Sequence, residues 1–419
     1  MNHRVVITGI GLTSPVGRGR EECWQNLLAG ASGVGPITLF DARALPVRIG
    51  GEVKGLDTSP VLSAFPSVAA EKDRKILLGL DAALQAVADA RISPTALAAA
   101  SVHVGVSLET FFLEDAAPVA HSAGAALSVQ VRDCGSSIRL QSPLDRLAEL
   151  LGARWGLYGG RWTNCSACAA GAQAVGEAFR RLRAGACSVA LAGAADSILH
   201  PLGLGGFGLL RILAPENEHP TRACRPFDAA RQGTVLSEGA AFLVLETLEH
   251  ARARGAAIVA EVIGFATTLD AFRVSDPAPD GEGAARSMCR AIADAGLSPE
   301  QIGAINAHGT GTPKNDAAEA LAIGRVFGAN ARRIPVTANK SMTGHMIAAS
   351  GAFEAAASAL TLHTGWLPPT INLTHPDPLC DLDHVLGARR LYAGDTVLSN
   401  SFGFGGQNAS LVFRRPPST

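Results

Sequence analysis

A mixed α/β fold with a large, heavily buried core in two parts is what this sequence predicts, and three observations predict it. The chain has 419 residues, more than one simple core usually holds, so two domains or a duplicated core is expected. Hydrophobic residues make up 47 % and charged ones only 17 %, alongside 46 glycines, which excludes a disordered or fibrous protein. Short β-branched runs alternate with longer Ala/Leu-rich segments along the whole chain.

Taken in order, Arg4–Gly9 is an apolar strand that should end at a Gly-rich turn. "KILLGLDAALQAVADARI" spaces its apolar residues for an amphipathic helix. "CAAGAQAVGEAFRRLRAG" is a compact helix that closes with Arg180, Arg181 and Arg183 before Gly185, a cationic last turn and a glycine stop. Ser188–Ala195 is a buried strand, and "AAFLVLETLEHARARGA" passes from strand to helix. "AAIVAEVIGFATTLDA" then opens a second half with a strand and a Gly turn, loosely echoing the first. "GAARSMCRAIADAGL" is a helix, "IGAINAHGT" a strand running into a loop, and "GAFEAAASAL" a further helix. A boundary near residue 255 divides the chain into 1–254 and 255–419, with no flexible tether marking it.

The formal net charge of −1 gives no bulk attraction to nucleic acid or to an anionic membrane. The N-terminal hydrophobic run is strand-length, not the apolar core of a signal peptide. "ACSVALAGAA" is too short to span a bilayer, and Asp196 follows it directly. Eight cysteines are scattered through a long chain instead of framing a small one, so reduced thiols and a cytoplasmic location are expected.

Cys165 and Cys168 precede the compact helix. A thiol there faces unpaired N–H groups and the positive end of the helix dipole, which should favour thiolate. A small buried cysteine is the simpler reading of that stretch alone. A zinc site would want a second ligand pair, which the remaining cysteines do not supply. Two histidine stretches add weight to chemistry. "NAHGTGTPKNDAAEA" places His308 on a Gly/Thr loop, with Asp316 and Glu319 entering the next helix. "TANKSMTGHMIAASGAFEA" places His345 after Lys340, ahead of a helix carrying Glu354 among alanines, where a buried carboxylate needs a partner such as Lys340. "SNSFGFGGQNAS" has glycines on both sides of Phe404 that let backbone N–H groups approach a substrate oxygen.

In "SACAAG", "NAHGTGTPKNDAAEA", "KSMTGH" with "GAFEA", and "NSFGFGGQN", all in the same order, the chain resembles the β-ketoacyl-acyl-carrier-protein synthases of the thiolase superfamily, above all the type II elongating members. The resemblance implies a thiolase-like five-layered αβαβα fold with two pseudo-symmetric halves. It implies that Cys168 carries the acyl chain as a thioester, and that His308 and His345 assist malonyl decarboxylation and steady the enolate. Lys340 and Glu354 would be a buried supporting ion pair, and Asp316 and Glu319 would support the histidine loop. Phe404 would gate the site, its backbone N–H joining that of Cys168 in an oxyanion hole. Cys165 has no family role and is read as a packing residue. No metal or organic cofactor is implied. The partners implied are an acyl carrier protein bearing phosphopantetheine-bound acyl and malonyl groups, docked by Lys72, Arg74, Lys75 and Arg211, and a second chain in a homodimer or heterodimer.

Two departures bear on specificity. The family pattern is close to "RDGFVxGEGA" where this chain has "RQGTVLSEGA" (Arg231–Ala240), and the stretch from Ser107 to Trp162 fits poorly. Both put housekeeping fatty-acid elongation in question and make a specialised pathway of polyketide or aryl-polyene type at least as strong an expectation. Three other classes share parts of the pattern. A silent chain-length partner normally lacks the cysteine, and a thiolase replaces one histidine stretch with a late Cys-x-Gly element. A non-elongating acyltransferase keeps Cys168 and loses decarboxylation.

Overall fold

The computed structural model describes residues 2–108 and 142–416, so the middle of the divergent Ser107–Trp162 stretch, 109–141, lies outside the described residues. The N-terminal half contributes β1 (Val5–Ser14), β2 (Ser101–Gly105), β3 (Arg161–Asn164), β4 (Val189–Ser197) and β5 (Glu238–Thr247). The C-terminal half contributes β6 (Ala260–Leu269), β7 (Ala304–Asn306), β8 (Pro335–Thr337), β9 (Asp383–His384), β10 (Thr396–Gly403) and β11 (Gln407–Arg414). These strands run in one sheet in the order β9-β8-β7-β10-β11-β6-β1-β5-β4-β2-β3.

The seam between the halves is the short antiparallel pairing of β1 with β6, from Val5 opposite Val262 to Ile7 opposite Ala260. Outward from that seam both halves follow one rule: first strand, last, penultimate, second, third. The pairings match as well, two antiparallel and then two parallel on each side, with β9 added beyond β8. The fold is therefore two copies of one topology.

The helices that position the site are α1 (Arg74–Ala90), α2 (Ala170–Arg183), α3 (Glu282–Asp294), α4 (Pro313–Phe327) and α5 (Ala348–Thr364). Helices α2 and α5 form the central layer, sharing a core with Ile7, Leu243 and Leu411 from the inner faces of the sheet. Helix α1 covers one outer face through Ile76, Leu80 and Ala83, and α3 and α4 cover the other through Met288, Ile292 and Ile323. Along β5, Ala241, Leu243 and Leu245 face the centre while Ala240, Phe242 and Val244 face outward. Strands buried on both faces read as continuous apolar runs, which is why they stood out in the sequence. The result is the five-layered αβαβα arrangement. No helix among the described residues is long and apolar enough to cross a membrane.

The first strand does not stop at Gly9; it continues to Ser14. Its glycines serve packing instead of a turn. A Cβ on Gly9 would lie 2.3 Å from the Ala86 carbonyl oxygen, and one on Gly11 would lie 1.9 Å from that of Ala82, so α1 can sit against β1 only where the side chain is missing. Gly264 plays the same part in the second half, its Cβ position 2.3 Å from the Ala291 oxygen of α3, and β6 likewise runs through the expected turn. Gly11→Ala and Gly264→Ala should each destabilise the fold by about 1–3 kcal/mol of overpacking, read as a lower denaturant midpoint. Gly206→Ala, where nothing lies within 4 Å of the new methyl, should leave stability unchanged or slightly raised.

Candidate active site

Cys168 sits in a tight 3-10 turn (Ala167–Ala169) at the entrance to α2, 5 % exposed. Ala167 just before it has φ +50°, a left-handed conformation that a residue with a side chain adopts at a cost. Close approach of the β10 end completes the turn. A Cβ on Gly403 would lie 3.0 Å from the Cys168 nitrogen, so glycine lets this strand end press against the nucleophile. The Phe404 backbone N–H thereby faces the Cys168 sulfur and favours its charged form. The Phe404 ring stacks on Phe207 at 6.1 Å between centroids.

The expectation of a stabilised thiolate is corrected here. Burial pushes the Cys168 thiol up to about 11, with Asp196 adding to the rise; the Lys340 charge and the Phe404 N–H oppose it and do not win. Helix entrance and dipole are present, but desolvation is the larger effect. Cys165 is also corrected: it is exposed, not a packing residue, and its Sγ lies 2.5 Å from the Ser107 carbonyl.

The two imidazoles meet edge to face, 5.4 Å between centroids, in the cleft that Cys168 also lines. Lys340 sets one of them. Its Nζ lies 3.2 Å from His308 Nδ1, donates to the His308 carbonyl at 2.7 Å and to the Glu354 carboxylate, and so uses all three protons. An ammonium can only donate, so His308 Nδ1 accepts and the ring proton is on Nε2. The Ile347 backbone N–H donates to His345 Nδ1 at 3.2 Å, which places that ring's proton on Nε2 as well. Ile347 takes φ +44° to do this, a costly conformation for a β-branched residue. Burial first, and the Lys340 charge second, hold both histidines well below the usual imidazole range. Both are therefore neutral Nε2–H donors.

The carboxylates below them are committed. Glu319 accepts the backbone N–H groups of His308 and Gly309, both at 2.8 Å, and burial pushes it up to about 7. Asp316 accepts from Thr310, Gly311 and Phe227, tying the His308 loop to the segment before Arg231. Burial pushes Glu354 up to about 7 against the pull of Lys340. Sequence reasoning missed Ile347 and Ser350, which hold the His345 ring, and Arg231, which spans from Asp377 to the Thr312 and Pro313 carbonyls. Arg231 had a signal, an arginine in a motif otherwise short of charge. Ile347 acts through its backbone and had none.

The four cationic docking candidates separate. Lys72 is exposed, and Arg211 is exposed and lines the mouth of the cleft. Arg74 instead grips the buried Glu238 at 2.7 Å and the Val53 carbonyl. Lys75 is 1 % exposed, paired with Asp73 at 2.7 Å and bonded to the Leu108 carbonyl. Both hold internal carboxylates; Lys75 is thereby closed to a docking partner, while the Arg74 side chain remains partly exposed. The cleft itself holds roughly 340 Å³ and is lined by Cys168, His308, His345, Thr310, Thr234 and Phe404 among others. With the thiol near 11, the thiolate fraction grows about tenfold per pH unit at all lower pH values. Iodoacetamide labelling of Cys168, followed by peptide mass spectrometry, should therefore climb without a plateau from about pH 6 to pH 9.

Residues 2–251 match the family described as "Beta-ketoacyl synthase, N-terminal domain", and residues 259–374 match its C-terminal domain. The chain is 40 % identical to "3-oxoacyl-[acyl-carrier-protein] synthase 2" of Synechocystis sp., over 98 % of each chain. It is 38 % identical to the protein of the same name from Vibrio cholerae, over 98 % of this chain and 99 % of that one. Among solved structures, "The ishigamide ketosynthase/chain length factor" superposes with a TM-score of 0.89 at 34 % identity, covering all of both chains. A type II PKS acyl-carrier protein in complex with its ketosynthase bound to the hexaketide superposes with a TM-score of 0.84 at 32 % identity, covering 99 % of this chain and 100 % of that one. With both domains matched in order and the paired histidines set beside a helix-entrance cysteine, the chain belongs to the beta-ketoacyl synthase family.

Proposed function

We propose that this chain joins an acyl thioester to malonyl-acyl-carrier protein by decarboxylative Claisen condensation, in fatty-acid or polyketide-type elongation. The observation that carries this reading is a pair of neutral Nε2–H imidazoles in one cleft with a cysteine whose sulfur faces the Phe404 N–H. In the first half-reaction the Cys168 sulfur attacks the carrier-bound thioester, its carbonyl oxygen held by backbone N–H groups of Cys168 and Phe404. The new C–S bond forms, the old one breaks, and the thiol proton passes to the departing carrier thiol. In the second, the malonyl C–C bond breaks and carbon dioxide leaves. The electron pair moves onto the thioester carbonyl, where His308 and His345 donate to the enolate oxygen. Neither ring needs to be a strong base, which suits imidazoles held neutral by burial. The enolate carbon attacks the acyl-cysteine, the thiolate departs, and one proton restores the thiol.

The relatives and neighbours support the partners. One structural neighbour is an acyl carrier protein in complex with its ketosynthase, and another is a ketosynthase/chain length factor. We infer an acyl carrier protein as the substrate's bearer and a dimer, self-paired or with a related chain, as the working form. We also infer a cytoplasmic location and the division of labour between 1–254, with the nucleophile, and 255–419, with the histidines.

Cys168→Ala should abolish the acyl adduct and condensation, read by intact-protein mass spectrometry, while labelled carbon dioxide is still released from malonyl-carrier. His308→Ala or His345→Ala should cut that release about a hundredfold, since one oxyanion donor is worth on the order of 3 kcal/mol. Their Cys168 should still acylate. Condensation by the alanine variant, or native decarboxylation by the histidine variants, contradicts the assignment.

Lys72→Glu with Arg211→Glu should slow association with acyl-carrier substrates roughly tenfold at low salt and leave turnover of a free small thioester unchanged. Equal loss on both substrates would place these residues in the fold instead of the docking face.

A further inference from the structure

One buried hydroxyl on the wall of the cleft lacks a hydrogen-bond partner among the described residues. It is Oγ1 of Thr234, which lines the cleft and is 2 % exposed. Buried hydroxyls are as a rule hydrogen-bonded, so an unpartnered one on a residue that lines a substrate cleft is a group that a ligand atom can complete. The position is rigid. The Thr234 N–H donates to the Ile212 carbonyl and its own carbonyl accepts from Ala214, both at 2.8 Å. Its neighbours join the two histidine loops: Gly233 N–H donates to the Gly311 carbonyl at 3.1 Å, and the Val235 carbonyl accepts from His345 N–H at 2.7 Å. Thr234 thus stands between the loops that hold the two imidazoles. The other nearby hydroxyl is already engaged, since Thr310 Oγ1 lies 2.9 Å from Thr312 Oγ1.

We propose that the Thr234 hydroxyl donates a hydrogen bond to the free carboxylate of the malonyl group, making it a specificity-determining residue for that substrate. The inference rests on the condensing function proposed above. The chemistry favours this oxygen over others. The carboxylate is the one anionic group of the malonyl unit, and of the cations in and around the cleft Lys340 is held by its three acceptors, Lys314 pairs with Asp276 at 2.8 Å, and Arg211 stands exposed at the mouth. A hydroxyl bound to a carboxylate is a charge-assisted bond strong enough to orient it. A lysine or arginine in its place would stabilise the carboxylate more than the departing carbon dioxide and slow the reaction. A neutral donor selects the substrate with less of that penalty. The family pattern has phenylalanine at this position, which offers no such bond.

The test compares the wild type with Thr234→Val, which keeps the shape, Thr234→Ala, and Thr234→Ser, which keeps the hydroxyl. Each is assayed for carbon dioxide release from malonyl-carrier and, separately, for acyl-adduct formation on Cys168. The valine and alanine variants should raise the malonyl-carrier KM about tenfold, with kcat within about twofold and Cys168 acylation unchanged. The serine variant should return KM to within about threefold of the wild type. The alanine variant carries the test if valine does not fold. An unchanged KM, equal damage to acylation, or failure of serine to rescue overturns the proposal and leaves the condensing function standing. A wild-type enzyme that neither acylates nor decarboxylates overturns both.

Discussion

The site depends on one ammonium group with no proton to spare. Lys340 Nζ divides its three donors between the His308 carbonyl, His308 Nδ1 and Glu354, in a region where lysine and glutamate are 1 % exposed. Taking two charges out of water is expensive, and such a pair persists only with good geometry and every proton satisfied. The ring nitrogen that faces Lys340 must accept, so the proton must stand on the opposite nitrogen, toward the cleft. The same positive charge, added to burial, keeps His308 from taking up a second proton. A single buried cation therefore fixes tautomer, ring orientation and protonation state together.

The fold brings the remaining pieces to that point. Because the halves repeat one topology, α2 and α5 occupy matching places and pack in the central layer. Their backbones approach where side chains are absent: a Cβ on Gly171 would meet the Ala348 oxygen at 2.5 Å, and one on Gly351 the Ala172 nitrogen at 2.7 Å. Each helix is entered through a strained residue, Ala167 before Cys168 and Ile347 after His345. Backbone strain of this sort persists only where the surroundings over-determine it. Here it presents the thiol on one side and locks the His345 ring on the other. The nucleophile and the second histidine are thus products of one duplicated strand-to-helix geometry.

Much of this was legible in the residues, and the misses have physical causes. Doubly buried strands and small-residue helices announce themselves by composition, so β4, β5, α2 and α5 were placed within a few residues. Glycine was misread. In Gly9, Gly11 and Gly264 the missing side chain admits a neighbouring helix backbone, and sequence alone does not separate that use from a turn. The thiolate expectation considered the helix dipole and left out desolvation, which depends on tertiary burial. Lys75 and Arg74 look like surface cations in a charged stretch; their partners Asp73 and Glu238 become visible only when the chain is folded, Glu238 lying 164 residues away from Arg74. Motif residues were readable because chemistry dictates their types, while Ile347 acts through its backbone N–H and any residue could in principle supply that.

The central claim is that both imidazoles are neutral and carry their proton on Nε2. Nitrogen-15 NMR of histidine-labelled protein reads this directly, by comparing the two ring nitrogens of His308 and His345 between about pH 6 and pH 8, with each signal assigned by single substitution. The account predicts, for both residues, a protonated Nε2 and an unprotonated Nδ1 across the whole range. An imidazolium at either position, or a proton on Nδ1 of either ring, would contradict it.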